Sequence, residues 1–200
     1  FNNGFSSGES TELNKLNWIT SNLKYMKGIF NKAESFNSKI NNWNTEKVIY
    51  MGSVFRYAKS FNQDIGNWNV SSSSNFSGMF SGADKFNQDI SNWDISKGKY
   101  FNSMFREAKE FNHNLSNWSK YFKNNENTFI NLYAMFAKTN YSHDILKVWG
   151  PIFQDKSTYV SYFYMFNNNP NFIAKCNKPG SIHPDSSKYR KNQHRCWQKK

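Results

Sequence analysis

At 200 residues the chain is long enough for a sizeable core, yet aliphatic residues are sparse and 18% of positions are aromatic, so that core must come largely from Phe, Trp, Tyr and Met. The formal charge of +12 does not mark the whole chain as a nucleic-acid binder: from Lys175 to Lys200 eight Lys or Arg stand against Asp185 alone, a net of +7, which leaves +5 scattered over the first 174 residues. No run of about 18 apolar residues occurs, so no segment reads as a membrane-spanning helix.

The chain opens at Phe1 without Met, and Phe1-Asn2-Asn3 resembles the Phe-Asn step found in later copies at Phe36, Phe61, Phe86 and Phe111. Residues 1–24 therefore read as a truncated first copy, and the chain as a fragment with any targeting segment upstream. Beyond it, Trp18, Trp43, Trp68, Trp93 and Trp118 recur every 25 residues, with Trp149 following after 31. Phe30, Phe55, Phe80 and Phe105 keep the same period, and Phe136 and Phe166 continue it at about 30. Two registered aromatic ladders define a tandem repeat.

Within each copy the first half carries Met26, Ile29, Phe30 and Ala33, repeated as Met51, Val54, Phe55, Ala58, as Phe76, Met79, Phe80, Ala83, and as Phe101, Met104, Phe105, Ala108. Offsets of 0, 3, 4 and 7 predict one apolar face of a two-turn helix. In the second half Ile65, Trp68 and Val70 are echoed by Ile90, Trp93 and Ile95. That spacing predicts a short strand centred on each Trp, followed by a loop rich in Ser and Asn. Lys120 to Asn131 reads as an insertion, after which Phe136, Ile145 and Trp149 resume the frame. The last copy keeps Met165, Phe166 and Phe172, loses the Trp, and reads as a C-terminal cap.

Residues 25–174 thus form about six units, the last two drifted, and 175–200 a basic tail. About six apolar anchors cannot offset the entropy of ordering one copy, so the copies must stack. The expected fold is an α/β solenoid, a leucine-rich-repeat-like stack of short parallel strands and short helices. Cys176 and Cys196 lie in the tail, where a disulfide and two free thiols are equally open.

The unit Met-x-x-Met-Phe-x-x-Ala-x-x-Phe-Asn-x-Asp-Ile-x-x-Trp, best seen from Phe76 to Trp93, resembles the BspA-like leucine-rich-repeat surface proteins. It is most similar to a 25-residue repeat family of unassigned function common in surface lipoproteins of mollicutes. The resemblance covers about residues 17 to 172 and implies an extracellular or cell-surface protein used in adhesion to a host or another cell. It brings no catalytic residue and no cofactor. Phe76 and Phe101 in place of the first Met, the 120–131 insertion and the basic tail depart from its pattern.

Two sets of Asn differ in expected role. Asn37, Asn62, Asn87 and Asn112 each follow a buried Phe and are read as structural, their amides bonding backbone groups in the turn. Asn42, Asn67, Asn92 and Asn117 precede the Trp, while Asn44, Asn69, Asp94 and Ser119 follow it. With Trp inward these eight project outward as a polar stripe, the candidate surface for a protein or glycan ligand. Asp64, Asp89 and Asp144 suggest calcium, but Lys39 and Asn114 occupy matching positions and no Asp-x-Asp loop with Gly occurs. Cys176, His183, His194 and Cys196 fit no common zinc spacing. No nucleophile elbow, phosphate loop or His-Glu-x-x-His segment occurs, so the sequence reads as non-enzymatic. The alternative function is polyanion or nucleic-acid binding through the tail, where the basic residues accompany Tyr189 and Trp197.

Overall fold

The structure is a computed structural model that describes residues 18–123, 129–154, 159–162 and 164–172; the tail, with both cysteines, His183 and His194, lies outside them. Consecutive copies meet through parallel backbone bridges joining Tyr25 to Tyr50, Tyr50 to Asn75, Asn75 to Tyr100 and Tyr100 to Asn131. At the next step the contact widens into a two-stranded parallel sheet, β1 (Phe129–Asn131) against β2 (Tyr159–Ser161), with Ile130 opposite Val160.

The segment expected to be a helix is a run of turns instead. Every second N–H leaves its own copy: Met51, Ser53, Phe55 and Tyr57 donate to the carbonyls of Asn75, Ser77, Met79 and Ser81 at 2.8–2.9 Å. The N–H groups between them fold back three residues, Arg56 onto Ser53 and Ala58 onto Phe55. Left-handed residues fall two and six places after the first anchor, as Gly28 and Lys32, Ser53 and Tyr57, Gly78 and Gly82, and Ser103 and Glu107. A positive φ at the third place of a hydrogen-bonded four-residue turn is the mark of type II geometry, and it stops right-handed winding. Such turns return Met, Phe and Ala to one side at nearly helical spacing, which is why the offsets mimic a helix. The backbone groups a helix would pair internally are paired with the neighbouring copy.

The strand expected at each Trp is also absent from copies 40–45, 65–70 and 90–95. There Gly66 N–H donates to Asp64 Oδ1 at 2.9 Å and Trp68 N–H to the Ile65 carbonyl at 3.1 Å, so local turns take the groups a ladder would use. The inward and outward alternation survives, with Trp68 and Val70 buried between exposed Asn67 and Asn69.

Three aromatic columns fill the core. Phe30, Phe55, Phe80, Phe105, Phe136 and Phe166 stack ring on ring at 5.5–5.7 Å between centroids, within 10° of parallel. Phe36, Phe61, Phe86, Phe111 and Tyr141 form a second column at 5.8–6.1 Å. Burial pushes the Tyr141 phenol up, while its hydroxyl accepts the Leu115 N–H at 3.4 Å. Trp18, Trp43 and Trp68 make the third column at 5.5 and 6.3 Å. The indole N–H groups of Trp68 and Trp93 donate to the carbonyls of Ile40 and Ile65 at 3.2 and 3.1 Å, so the polar edges of these two buried rings are satisfied by the preceding copy.

The pattern changes after Leu115. A 3₁₀ turn (Ser116–Trp118) leads into α1 (Ser119–Lys123), so the region read as an insertion opens on a helix and closes on β1. Trp149, expected on a strand, lies on α2 (Leu146–Gln154), where Phe122 of α1 meets it edge-on at 4.9 Å. Among the described residues of these wider copies a short helix stands where the regular copies have a single turn.

Candidate binding surface

The residues expected to form a polar stripe fall into two rows with different surroundings. Asn44, Asn69 and Asp94 are exposed, yet their side-chain oxygens are engaged: they accept the N–H groups of Glu46, Ser71 and Ser96 at 3.1, 3.1 and 2.9 Å. Asn69 also accepts the Ser71 hydroxyl at 2.7 Å. Each closes an Asx turn after the Trp, which is an architectural task. Ser119, the fourth member, is half-buried at the start of α1.

The other row is freer. Asn42, Asn67, Asn92 and Asn117 are all exposed, one per copy. Asn67 reaches the Asn41 carbonyl at 3.3 Å, whereas the side chains of Asn42, Asn92 and Asn117 make no hydrogen bond among the described residues. Repetition in register makes this row a line of amides, each able both to donate and to accept.

The structural reading of the second Asn set is supported in detail. Asn37 Oδ1 accepts the Asn62 N–H at 2.9 Å, Asn62 accepts that of Asn87 at 2.9 Å, and Asn87 that of Asn112 at 3.0 Å. Asn112 continues the chain to the Ser142 N–H at 2.9 Å. Replacing Asn87 with Leu leaves the Asn112 N–H without its acceptor and is expected to cost about 0.5–1.5 kcal/mol. Chemical denaturation checks this, and Asn92→Leu, which removes no hydrogen bond, is the control expected to fall within about 0.5 kcal/mol of the parent.

Sequence reasoning missed the residues immediately beyond this ladder. Gln63 and Gln88 donate to Asn37 Oδ1 and to Asn62, and in the next two copies His113 and His143 replace them, each ring Nε2 lying 3.0 and 2.8 Å from the carbonyls of Asn87 and Asn112. The signal was available in their shared repeat position. It places both histidines in the inter-copy architecture.

The candidate calcium carboxylates have a similar explanation. Asp64 and Asp89 accept the N–H groups of Gly66 and Ser91, both at 2.9 Å, and Asn114 does the same for Ser116. An amide at that position serves as well as a carboxylate because the task is to accept one N–H. The Ser91 N–H, with the Ser91 hydroxyl and the charge of His113, holds the Asp89 carboxyl below its usual range. Among the described residues no group of three or more His, Cys, Asp or Glu is placed to hold a metal ion. Among the same residues no helix is long and apolar enough to cross a membrane.

Ion pairs also join residues 25 apart, as Lys59 with Glu34 at 2.9 Å and Lys109 with Asp84 at 2.8 Å. They are solvent-exposed, so they help register more than stability.

No curated protein and no solved structure matches the chain. The family described as Mycoplasma protein of unknown function, DUF285, matches three times, over residues 1–118, 40–149 and 78–178. Overlapping matches are what a tandem repeat produces, because one pattern aligns in several registers. On matches that together span nearly the whole sequence, the chain belongs to this Mycoplasma repeat family, DUF285.

Proposed function

We propose that the chain is a non-enzymatic interaction module, displayed at the cell surface, that mediates adhesion to a protein or glycan of a host or another cell. In this reading its stacked copies form a solenoid of the BspA-like, leucine-rich-repeat kind, carried by a surface lipoprotein. The observation that supports it most is the exposed amide row Asn42, Asn67, Asn92 and Asn117, repeated in register over an aromatic core. Regular spacing of one polar group suits an extended ligand, as concave and flat faces of repeat proteins do generally. Membership of a mollicute repeat family is consistent with surface display.

The test is a binding screen against matrix proteins and glycans with the intact chain and a triple variant, Asn67→Lys, Asn92→Lys and Asn117→Lys. The expected result is a ligand whose affinity falls at least tenfold in the variant while its melting temperature is unchanged. Loss of binding on deleting residues 175–200, with the triple variant unaffected, would replace this reading by polyanion binding through the tail. Display is checked on intact cells, where an antibody to the repeat should bind and external trypsin should abolish its signal.

A further inference from the structure

One stretch of the turn-bearing face is built differently from its neighbours. Five places after the first anchor, the copy at 51–58 carries Arg56 and the copy at 101–108 carries Arg106, but the copy between them carries Ser81. Ser77, Gly78 and Gly82 keep that middle copy small on either side. The result is an open notch of about 400 Å³, floored by Ser81 and Gly78 and walled by Arg56, Tyr57, Asn102 and Arg106. No residue of the amide row lines it.

Its chemistry is one-sided. No carboxylate lines the notch. Arg56 forms no ion pair among the described residues, and its guanidinium lies 5.1 Å from the centre of the Tyr57 ring, which orients it while leaving its charge unneutralised. Arg106 turns Nε toward Glu107 at 3.5 Å, but Lys138 holds the same carboxylate oxygen at 2.9 Å, so Glu107 is shared between two cations. The hydroxyls of Ser53, Ser81 and Ser103 and the amide of Asn102 make no hydrogen bond among the described residues. Ser77 is the exception, its hydroxyl donating to Asn75 Oδ1 at 2.6 Å.

We propose that this notch binds an anionic saccharide unit, with Arg56 and Arg106 on its sulfate or carboxylate and Ser53, Ser81, Ser103 and Asn102 on its hydroxyls. Two arginines set two copies apart, roughly 10 Å along a parallel ladder, span more than one small anion occupies. The neutral donors and acceptors between them match a ligand that is charged at its edge and hydroxylated across its body. The volume lies in the lower part of the range of about 300–1,000 Å³ typical of small-ligand sites. This site is independent of the amide row and stands whether or not that row binds anything.

The test is calorimetric titration of the full chain with a sulfated disaccharide, its carboxylated counterpart, the uncharged parent disaccharide and inorganic sulfate. The sulfated or the carboxylated sugar should bind at least tenfold more tightly than the uncharged sugar and inorganic sulfate. Arg56→Gln and Arg106→Gln should each weaken that binding at least tenfold. The deciding variant is Ser81→Arg, which installs the residue carried at this position by both neighbouring copies and therefore preserves the fold, checked by an unchanged melting temperature. It adds positive charge but fills the notch, so binding should be lost. Tighter binding by Ser81→Arg would show a diffuse basic surface and overturn the proposal. Equal affinity for inorganic sulfate, or equal affinity of all variants, would overturn it as well.

Discussion

Phe80→Ala is expected to lower the free energy of unfolding by about 3–5 kcal/mol, the range for truncation of a buried aromatic. The ring is fully buried and touches the column on both sides, with Phe55 and Phe105 each 5.7 Å away, Phe86 at 3.8 Å and Trp93 at 6.3 Å. Whether a cavity stays open decides the size of such a loss. Here the neighbours cannot close it by sliding along the stack, because Phe80 N–H is bonded to the Met104 carbonyl at 2.8 Å and Phe55 N–H to that of Met79 at 2.9 Å. Phe166→Ala is the comparison: among the described residues Phe136, at 5.5 Å, and Phe172, at 4.4 Å, face that ring, two partners where Phe80 has four, so its loss should cost clearly less. Denaturant titration followed by Trp fluorescence measures both. Because nearest-neighbour contacts carry a repeat stack, the Phe80 variant should also broaden the transition as the two halves of the array uncouple. Equal losses for both variants would show that the column does not act as a continuous element.

How legible this arrangement was depends on which level is asked. The residues of the core were readable, since Phe30, Phe55, Phe61, Phe80, Trp68 and Trp93 declare themselves by period alone and all are buried. The backbone that carries them was not, because the offsets of Met51, Val54, Phe55 and Ala58 fit a helix and a chain of turns equally well. What separates the two is where the N–H groups go, and for Ser53 and Tyr57 they go to Ser77 and Ser81, partners 24 residues away that no local pattern reveals. A local clue did exist in Gly28, Gly78 and Gly82, but Ser53, Tyr57, Ser103 and Glu107 hold the same left-handed positions without being Gly. The candidate surface was half legible. Alternation around each Trp gave seven of the eight residues as exposed, Ser119 being half-buried at the start of α1, while the Asx turns of Asn44, Asn69 and Asp94 depend on neighbours at Glu46, Ser71 and Ser96. The notch at Ser81 was hidden for another reason: it is made by small residues, which a search for repeated large ones passes over.

Gly82→Val tests the turn architecture most directly and is expected to destabilise by about 3 kcal/mol. Gly82 has φ +70°, and a Cβ there would come within 2.3 Å of Tyr57 Cδ1 in the adjacent copy. Two costs therefore combine, the left-handed strain of a β-branched residue at about 1–3 kcal/mol and the overlap with a packed ring at about 1–3 kcal/mol. They separate in the Tyr57→Gly background, where the ring is gone and only the strain remains. In that background Gly82→Val should cost about 1–2 kcal/mol, so the cycle yields a coupling energy of at least about 1 kcal/mol. Lys32, Tyr57, Glu107 and Lys138 occupy the equivalent positions with φ between 57° and 64°, which shows that the turn accepts an unbranched side chain there when no ring lies over it. Gly82→Lys in the Tyr57→Gly background should accordingly be nearly neutral. If the segment were helical, Gly82→Val would be tolerated and replacement by Ala would stabilise, the reverse of what left-handed turns require.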